Sequence, residues 1–184
     1  MRRDGAVNRE KVLLAAEQVF AEKGAAASTD EVAQRAGVSI ATVFRNFATK
    51  QDLIEATAAR YLEKLTAEAL RITDGPDAGK AFASLMKTLA AAGPVKMTLL
   101  DLLPPHEDDG EGLSRHVTQA ADAFRAALDG ALHRAQAVGA ARPEVTGDDV
   151  SLLLRALAYA TDLSEGEALE RAVGIVLDGL GVPR

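Results

Sequence analysis

The stretch from Ala27 to Lys50, ASTDEVAQRAGVSIATVFRNFATK, constrains the fold more than any other part of the chain. Ser28-Thr29-Asp30-Glu31 has the form of a helix start: a serine N-cap, followed three residues later by a carboxylate able to reach back to the cap's own N–H. Gly37 comes three positions after Gln34, where a helix closes through a residue of positive φ that glycine adopts at little cost. Val38 is suited to anchor the turn in a core, and Ser39 to cap a second helix whose inner face is Val43 and Phe47. Ala33 is small enough for another helix to cross closely over it. The pattern predicts two short helices meeting at a sharp angle across a tight turn.

That geometry leaves the second helix an outward face of Ile40, Ala41, Thr42, Phe44 and Arg45. A helix held this way can enter the major groove of duplex DNA. Ile40, Ala41 and Phe44 suit thymine methyl groups, Thr42 a base edge or a phosphate, and Arg45 guanine or a phosphate. Lys50 opens the next helix and joins a cation to free backbone N–H groups, a combination that holds phosphate. So apolar a face is expected to use methyl contacts and phosphate positioning more than a dense set of base hydrogen bonds.

Helical spacing continues through the remainder. Val12, Leu13, Ala16, Val19 and Phe20 mark one face of a first helix that ends at Lys23-Gly24. Arg2 and Arg3 precede it, in a terminus expected to be disordered and solvated. A long helix is predicted from Lys50 to Ile72, broken by ITDGPDAG, and another carries Phe82, Leu85, Met86 and Leu89 up to Gly93-Pro94. VKMTLLDLL forms a short apolar piece, and HEDDGEG an acidic loop. The longest pattern, Leu113 to Val138 in three- and four-residue steps, is expected to end at Arg142-Pro143. Two further helices are predicted over 147–162 and 165–180. No segment alternates as a strand would. The fold class is all-α: an N-terminal three-helix helix-turn-helix DNA-binding domain over 1–50, then a helical ligand-binding and dimerisation domain over 51–184.

Over residues 8–56 the chain resembles the TetR family of transcriptional regulators, through the first helix ending FAEKG, then STDEVAQRAGVS, then TVFRNFATKQDLI. The resemblance implies a homodimer that binds a palindromic double-stranded DNA operator and releases it when a small-molecule effector enters a C-terminal pocket. Position by position, it implies base-facing roles for Ile40, Ala41, Thr42 and Phe44. It implies phosphate contacts for Arg45, Asn46 and Lys50, and backbone contacts for Ser28 and Thr29. Ser39 completes the candidate set. Two positions depart from the family's habit, which is tyrosine at 44 and histidine at 46. Phe44 lacks the hydroxyl that would bond phosphate, whereas Asn46 keeps a donor. Asp30 would repel phosphate and is read as a helix-dipole and capping residue.

The last two predicted helices are apolar on two sides. One carries Val150, Leu152, Leu153, Leu154, Leu157, Ala158 and Tyr159. The other has Leu169, Val173, Val176, Leu177 and Leu180 on one side and Ala168, Ala172 and Ile175 on the second. Such a helix needs two partners, its own core and a second subunit. Leu152, Leu169, Val173, Val176 and Leu180 are the candidate dimer interface. Phe82, Met86, Met97, Leu100, Phe124, Leu128 and Tyr159 are candidate pocket-lining residues, with His116 and Arg155 as polar groups able to orient an effector.

Charge is split along the chain. Residues 1–50 carry eight basic and six acidic groups, a net of +2, and the remainder 13 basic and 21 acidic, a net of −8. A mildly basic head on an acidic body fits a DNA reader joined to a domain with another task. The chain has no cysteine, which excludes disulfides and thiolate metal sites. No apolar run approaches the roughly 20 residues of a membrane span, and no signal core follows the charged N-terminus, so a cytoplasmic protein without a membrane partner is expected. His106, His116 and His133 make no metal-ligand pair, and Asp108-Asp109 and Asp148-Asp149 read as solvated or dipole-complementing. No catalytic residue, metal site or cofactor is predicted.

Overall fold

A computed structural model describes residues 2–92, 102–103, 114–161 and 167–181, with side chains described for all of these except 2–4 and 159–161. Among the described residues all regular structure is helical: α1 (Arg2–Lys23), a 3₁₀ turn (Gly24–Ala26), α2 (Thr29–Ala36), α3 (Ile40–Asn46), α4 (Lys50–Thr73), α5 (Ala78–Ala91), α6 (Arg115–Ala137), α7 (Gly147–Thr161) and α8 (Glu167–Leu180). The chain divides into two compact units, residues 1–62 with 98–120 and residues 63–97 with 121–184. The division falls inside α4 and again inside α6.

In the first unit α1 packs on α2 and α3, burying the expected stripe of Val12, Leu13, Ala16, Val19 and Phe20 together with Ala15. Arg60 of α4 bridges two turns of α1, with Nε donating to Glu10 Oε1 at 2.9 Å and Nη1 to Glu17 Oε2 at 3.0 Å. The neighbouring Tyr61 is buried, and desolvation, with a smaller contribution from the Glu17 charge, pushes its phenol up to about 12. Helix α4 starts on a capping box absent from the sequence expectations: Asp52 N–H donates to Thr49 Oγ1 at 3.0 Å, and Thr49 N–H to Asp52 Oδ2 at 2.9 Å.

In the second unit α5 packs on α7 and α8, and α7 on α8. The core is Phe82, Leu85, Met86 and Leu89 from α5, Phe124, Leu128 and Leu132 from α6, Val150, Leu154 and Leu157 from α7, and Val173, Leu177 and Leu180 from α8. Two guanidinium groups close helix C-termini, where carbonyls lack intrahelical partners. Arg134 donates to the carbonyls of Thr73 and Gly75 at the end of α4, and Arg142 Nη1 to Gly179 O at 3.1 Å at the end of α8. Asp149 helps start α7, its N–H donating to Thr146 Oγ1 and its carboxylate accepting from the Thr146 N–H and hydroxyl. The Thr146 hydroxyl first, then its N–H, lowers the pKa of that carboxyl.

Several boundaries differ from those expected. Helix α1 begins at Arg2, so the expected disordered terminus is in fact helical. Helix α6 stops at Ala137, not at Arg142-Pro143. Gly139 takes φ +70°, its N–H donating to Gln136 O and that of Ala140 to Ala135 O, which satisfies the last carbonyls. Val138 consequently leaves the apolar stripe and is 66% exposed. Helix α5 ends at Ala91, and Gly93, Pro94, Leu113, most of the VKMTLLDLL piece and the acidic loop lie outside the described residues.

Gly37 takes φ +66°, with no heavy atom within 4 Å of where a Cβ would stand. Gly37→Ala therefore meets no clash and loses only the conformational preference, about 1 kcal/mol for a non-glycine residue in the left-handed region. Urea unfolding should show that loss, and Gly37→Asn, which tolerates this region better, should show less of it.

Candidate nucleic-acid interface

The reading helix is fixed at both ends by its own sequence. Ser28 caps α2 through the expected reciprocal pair: Glu31 N–H donates to Ser28 Oγ at 3.2 Å, and Ser28 N–H to Glu31 Oε2 at 3.0 Å. At the far end of α2, Gly37 N–H donates to Gln34 O and Val38 N–H to Ala33 O, at 3.2 and 3.1 Å. Val38 is half-buried, less deeply placed than a core anchor. Ser39 then caps α3, its Oγ accepting from the Thr42 N–H at 3.2 Å. Val43 and Phe47 are buried, 1% and 4% exposed, and hold α3 to the rest of the unit. Arg9 of α1 lies over the Phe47 ring, 5.1 Å from its centroid, within the range of a cation–π contact.

The outward side carries the residues expected there. Ala41, Phe44 and Arg45 are exposed, and Ile40, Thr42 and Asn46 half-buried. Phe44 is 48% exposed, unusual for so large an apolar ring. The polar members beside it are engaged within the protein. The hydroxyls of Ser39 and Thr42 lie 2.9 Å apart, and Asn46 Nδ2 donates to Thr42 O at 2.8 Å. Lys50 Nζ donates to Ala25 O at 3.0 Å, tying the start of α4 to the turn after α1. Ser28 and Thr29 are half-buried at the start of α2.

Ion pairs redistribute the head's charge. Lys23 pairs with Glu31 and Arg35 with Glu22, so two of the eight cations counted in the sequence are held by carboxylates. Hydrogen bonding from Arg35 is the main cause of the lowered Glu22 pKa. Among the described residues Arg45 has no ion-pair partner and remains available to an external anion. Asp30 is exposed in the first turn of α2, and the capping carboxylate there is Glu31, which corrects the capping role expected of Asp30.

The positions proposed for the body separate into groups. Phe82, Met86, Phe124 and Leu128 are core residues of the second unit, each 7% exposed or less. His116 and Arg155 are exposed on helix surfaces. Met97, Leu100 and the side chain of Tyr159 lie outside the described residues. An open groove of about 1170 Å³ runs between α5 and α8, lined by Lys87, Thr88, Leu169, Glu170 and Ile175 among others, and includes none of the expected pocket residues. Periodicity alone offered no signal for it. Of the expected interface residues, Val173 and Leu180 are turned into the protomer's own core at 3% and 4% exposure, which corrects their assignment to an outer face. Leu169 and Val176 are half-buried. Leu152 is 67% exposed and Ile175, from the second side of the last helix, 69%.

Helices α2 and α3 of the first unit thus form a helix-turn-helix, and the comparisons with known proteins place the whole chain. The family model described as bacterial regulatory proteins, tetR family, matches residues 12–57, and that of the transcriptional regulator SbtR-like C-terminal domain matches residues 77–182. The crystal structure of a TetR transcription regulatory protein from Mycobacterium vanbaalenii is 31% identical, with 97% of this chain and 98% of that one covered at a TM-score of 0.73. A TetR transcriptional regulator from Streptomyces coelicolor is 26% identical over 94% and 97% of the two chains, at a TM-score of 0.71. The HTH-type transcriptional activator FasR of Mycolicibacterium smegmatis is 39% identical over 69 residues, 35% of this chain and 32% of FasR. The regulator YvkB of Bacillus subtilis is 45% identical over 53 residues, 28% of each chain. The matched stretch therefore spans about a third or less of these two curated relatives. The chain belongs to the TetR family of bacterial transcriptional regulators. Among the described residues no helix is long and apolar enough to cross a membrane.

Glu31 provides a pH test of the reader's framework. The Lys23 ammonium first, and the Ser28 N–H second, hold its carboxyl down to about 2, from an ordinary value of 4.5. A depressed carboxyl contributes stability above its unfolded pKa and loses it as pH falls toward the folded value. The difference in melting temperature between the wild type and Glu31→Gln should be full at pH 6 and shrink steadily from about pH 4.5 toward 2.

Proposed function

We propose that the protein is a dimeric, ligand-responsive transcriptional repressor that binds a palindromic operator and is released from it by a small-molecule effector. The observation that carries this reading is the outward face of α3, with Phe44, Ala41 and Arg45 presented to solvent by a helix whose inner side is fully buried. A seven-residue helix can read only a half-site, so a second copy supplies the other, with the two helices about 34–36 Å apart along the duplex. The exposed Leu152 and Ile175 support α7 and α8 as the surface that brings the copies together. DNA-contacting roles fall to Ile40, Ala41, Thr42, Phe44 and Arg45 toward the bases. Ser28, Thr29, Ser39, Asn46 and Lys50 serve at the backbone.

The effector acts through the C-terminal domain. Its binding favours a conformation in which the two reading helices no longer match successive major grooves, and the shift is limited by its differential affinity for the two states. The match of the reader region to a named activator supports a second sign of regulation on the same DNA-binding step.

In vitro selection of duplexes bound by the full chain tests the reading, with an inverted repeat as the expected result. Affinity for the selected duplex should fall steeply with salt, and Arg45→Ala should weaken it about tenfold, the discrimination of one good side-chain contact. Failure to select any sequence would remove the proposal. Ile175→Arg places a charge on the proposed interface. It should give a monomer by analytical ultracentrifugation and lose tight binding to the full palindrome while keeping its helical circular dichroism.

A further inference from the structure

Around α3 the side chains fall into three stripes with distinct fates. Val43 and Phe47 are buried. Ser39, Thr42 and Asn46 follow one another at three- and four-residue steps, and their polar groups are joined in a chain: Ser39 Oγ to the Thr42 N–H and hydroxyl, Asn46 Nδ2 to Thr42 O. Asn46 keeps one N–H and Lys50 two, enough to position phosphates, a contact that carries no sequence information. Ile40, Ala41, Phe44 and Arg45 make up the third stripe, and the only polar group on it is the Arg45 guanidinium.

An apolar surface in the major groove has a narrow chemical vocabulary. The base pairs differ there in donors, in acceptors and in one apolar group, the C5-methyl of thymine. The side chains of Ile40, Ala41 and Phe44 have no atom that distinguishes the O4 acceptor of thymine from the N4 donor of cytosine. What they detect is a methyl group on C5. Phe44 is suited to this: its ring is 48% exposed, carries no hydroxyl to direct it to a phosphate, and recovers apolar contact only by covering something apolar.

We infer that the reading helix recognises major-groove C5-methyl groups as such, so that 5-methylcytosine serves in place of thymine at the contacted positions whereas uracil and unmodified cytosine do not. The inference rests on the DNA-binding reading given above and specifies the chemistry of the half-site. Arg45 contributes the polar base contact of the same stripe, beside the methyl-reading patch.

The test takes the duplex selected by the full chain and exchanges each half-site thymine for 2′-deoxyuridine, for cytosine paired with guanine, and for 5-methylcytosine paired with guanine. At one or more positions the uracil duplex should bind about fourfold more weakly per methyl removed, the transfer worth of one buried methyl group. At the same positions 5-methylcytosine should bind about fourfold more tightly than cytosine. Phe44→Ala, a change at a half-exposed site that should leave the melting temperature nearly unaltered, should bind thymine and uracil duplexes alike at the position that Phe44 covers and keep the preference at positions covered by Ile40 or Ala41. Equal binding of thymine and uracil duplexes at every position by the wild type, or no gain from 5-methylcytosine over cytosine, overturns the inference and leaves the DNA-binding reading in place. If no duplex is selected, both are overturned.

Discussion

Helix α3 has seven residues, well below the length at which an isolated helix persists in water. Its helicity and direction depend on the burial of Val43 and Phe47 against the rest of the first unit. Two apolar anchors four residues apart define one side of a helix, and the caps at Gly37 and Ser39 settle where it begins. The turn is therefore more than a connection. Gly37 allows α2 to end with its carbonyls satisfied, and Ser39, two residues later, satisfies the Thr42 N–H in the first turn of α3. The buried anchors and the capping residues between Ala33 and Phe47 together hold the outward face of α3 in place.

That economy shapes the outward face. Side-chain oxygens and amides close to a short helix find backbone partners within reach, so Ser39, Thr42 and Asn46 are drawn into stabilising α3 itself. Lys50 is drawn likewise to Ala25 O, where it fixes the start of α4. The cations of α1 and α2 follow the same tendency, Lys23 with Glu31 and Arg35 with Glu22. These exposed pairs contribute little stability, but they reduce the positive field that a residue count suggests. An acidic chain can then still approach DNA through a few well-placed groups, because what matters is the field at the reading face and not the sum over 184 residues.

Much of the first unit was legible in the sequence because its determinants are local. A capping serine and its glutamate lie three residues apart, a Gly37-type stop immediately follows its helix, and Val43 and Phe47 share a face by spacing alone. What escaped was non-local or depended on backbone detail. The Lys50 bond spans 25 residues, and Arg60 reaches Glu10 and Glu17 across 50 and 43. No pattern in the chain announces either. The end of α6 was misplaced because Arg142-Pro143 is a conspicuous breaker, whereas Gly139 acts four residues earlier by the same left-handed closure as Gly37. Asp52 went unread although Thr49-x-x-Asp52 is a capping pattern of the same kind as Ser28-x-x-Glu31.

The body was legible as helices but not as surfaces, for a physical reason. Hydrophobic periodicity reports that a side chain leaves water, not which neighbour covers it. Phe82, Met86, Phe124 and Leu128 carry the same signal whether they line a cavity or fill a core, and here they are core. The last helix shows the ambiguity within one element. Val173, Leu177 and Leu180 face their own unit, while Ile175, in the same apolar run, stands 69% exposed. Two apolar sides were read correctly, but the side assigned to a partner was the one the protomer uses itself. The leftover side is narrower and built from Ala168, Ala172 and Ile175, with Leu152 exposed on α7. Small residues at four-residue spacing let a facing helix approach closely, so a partner there would gain its contact from backbone proximity around two large anchors and not from a broad apolar surface.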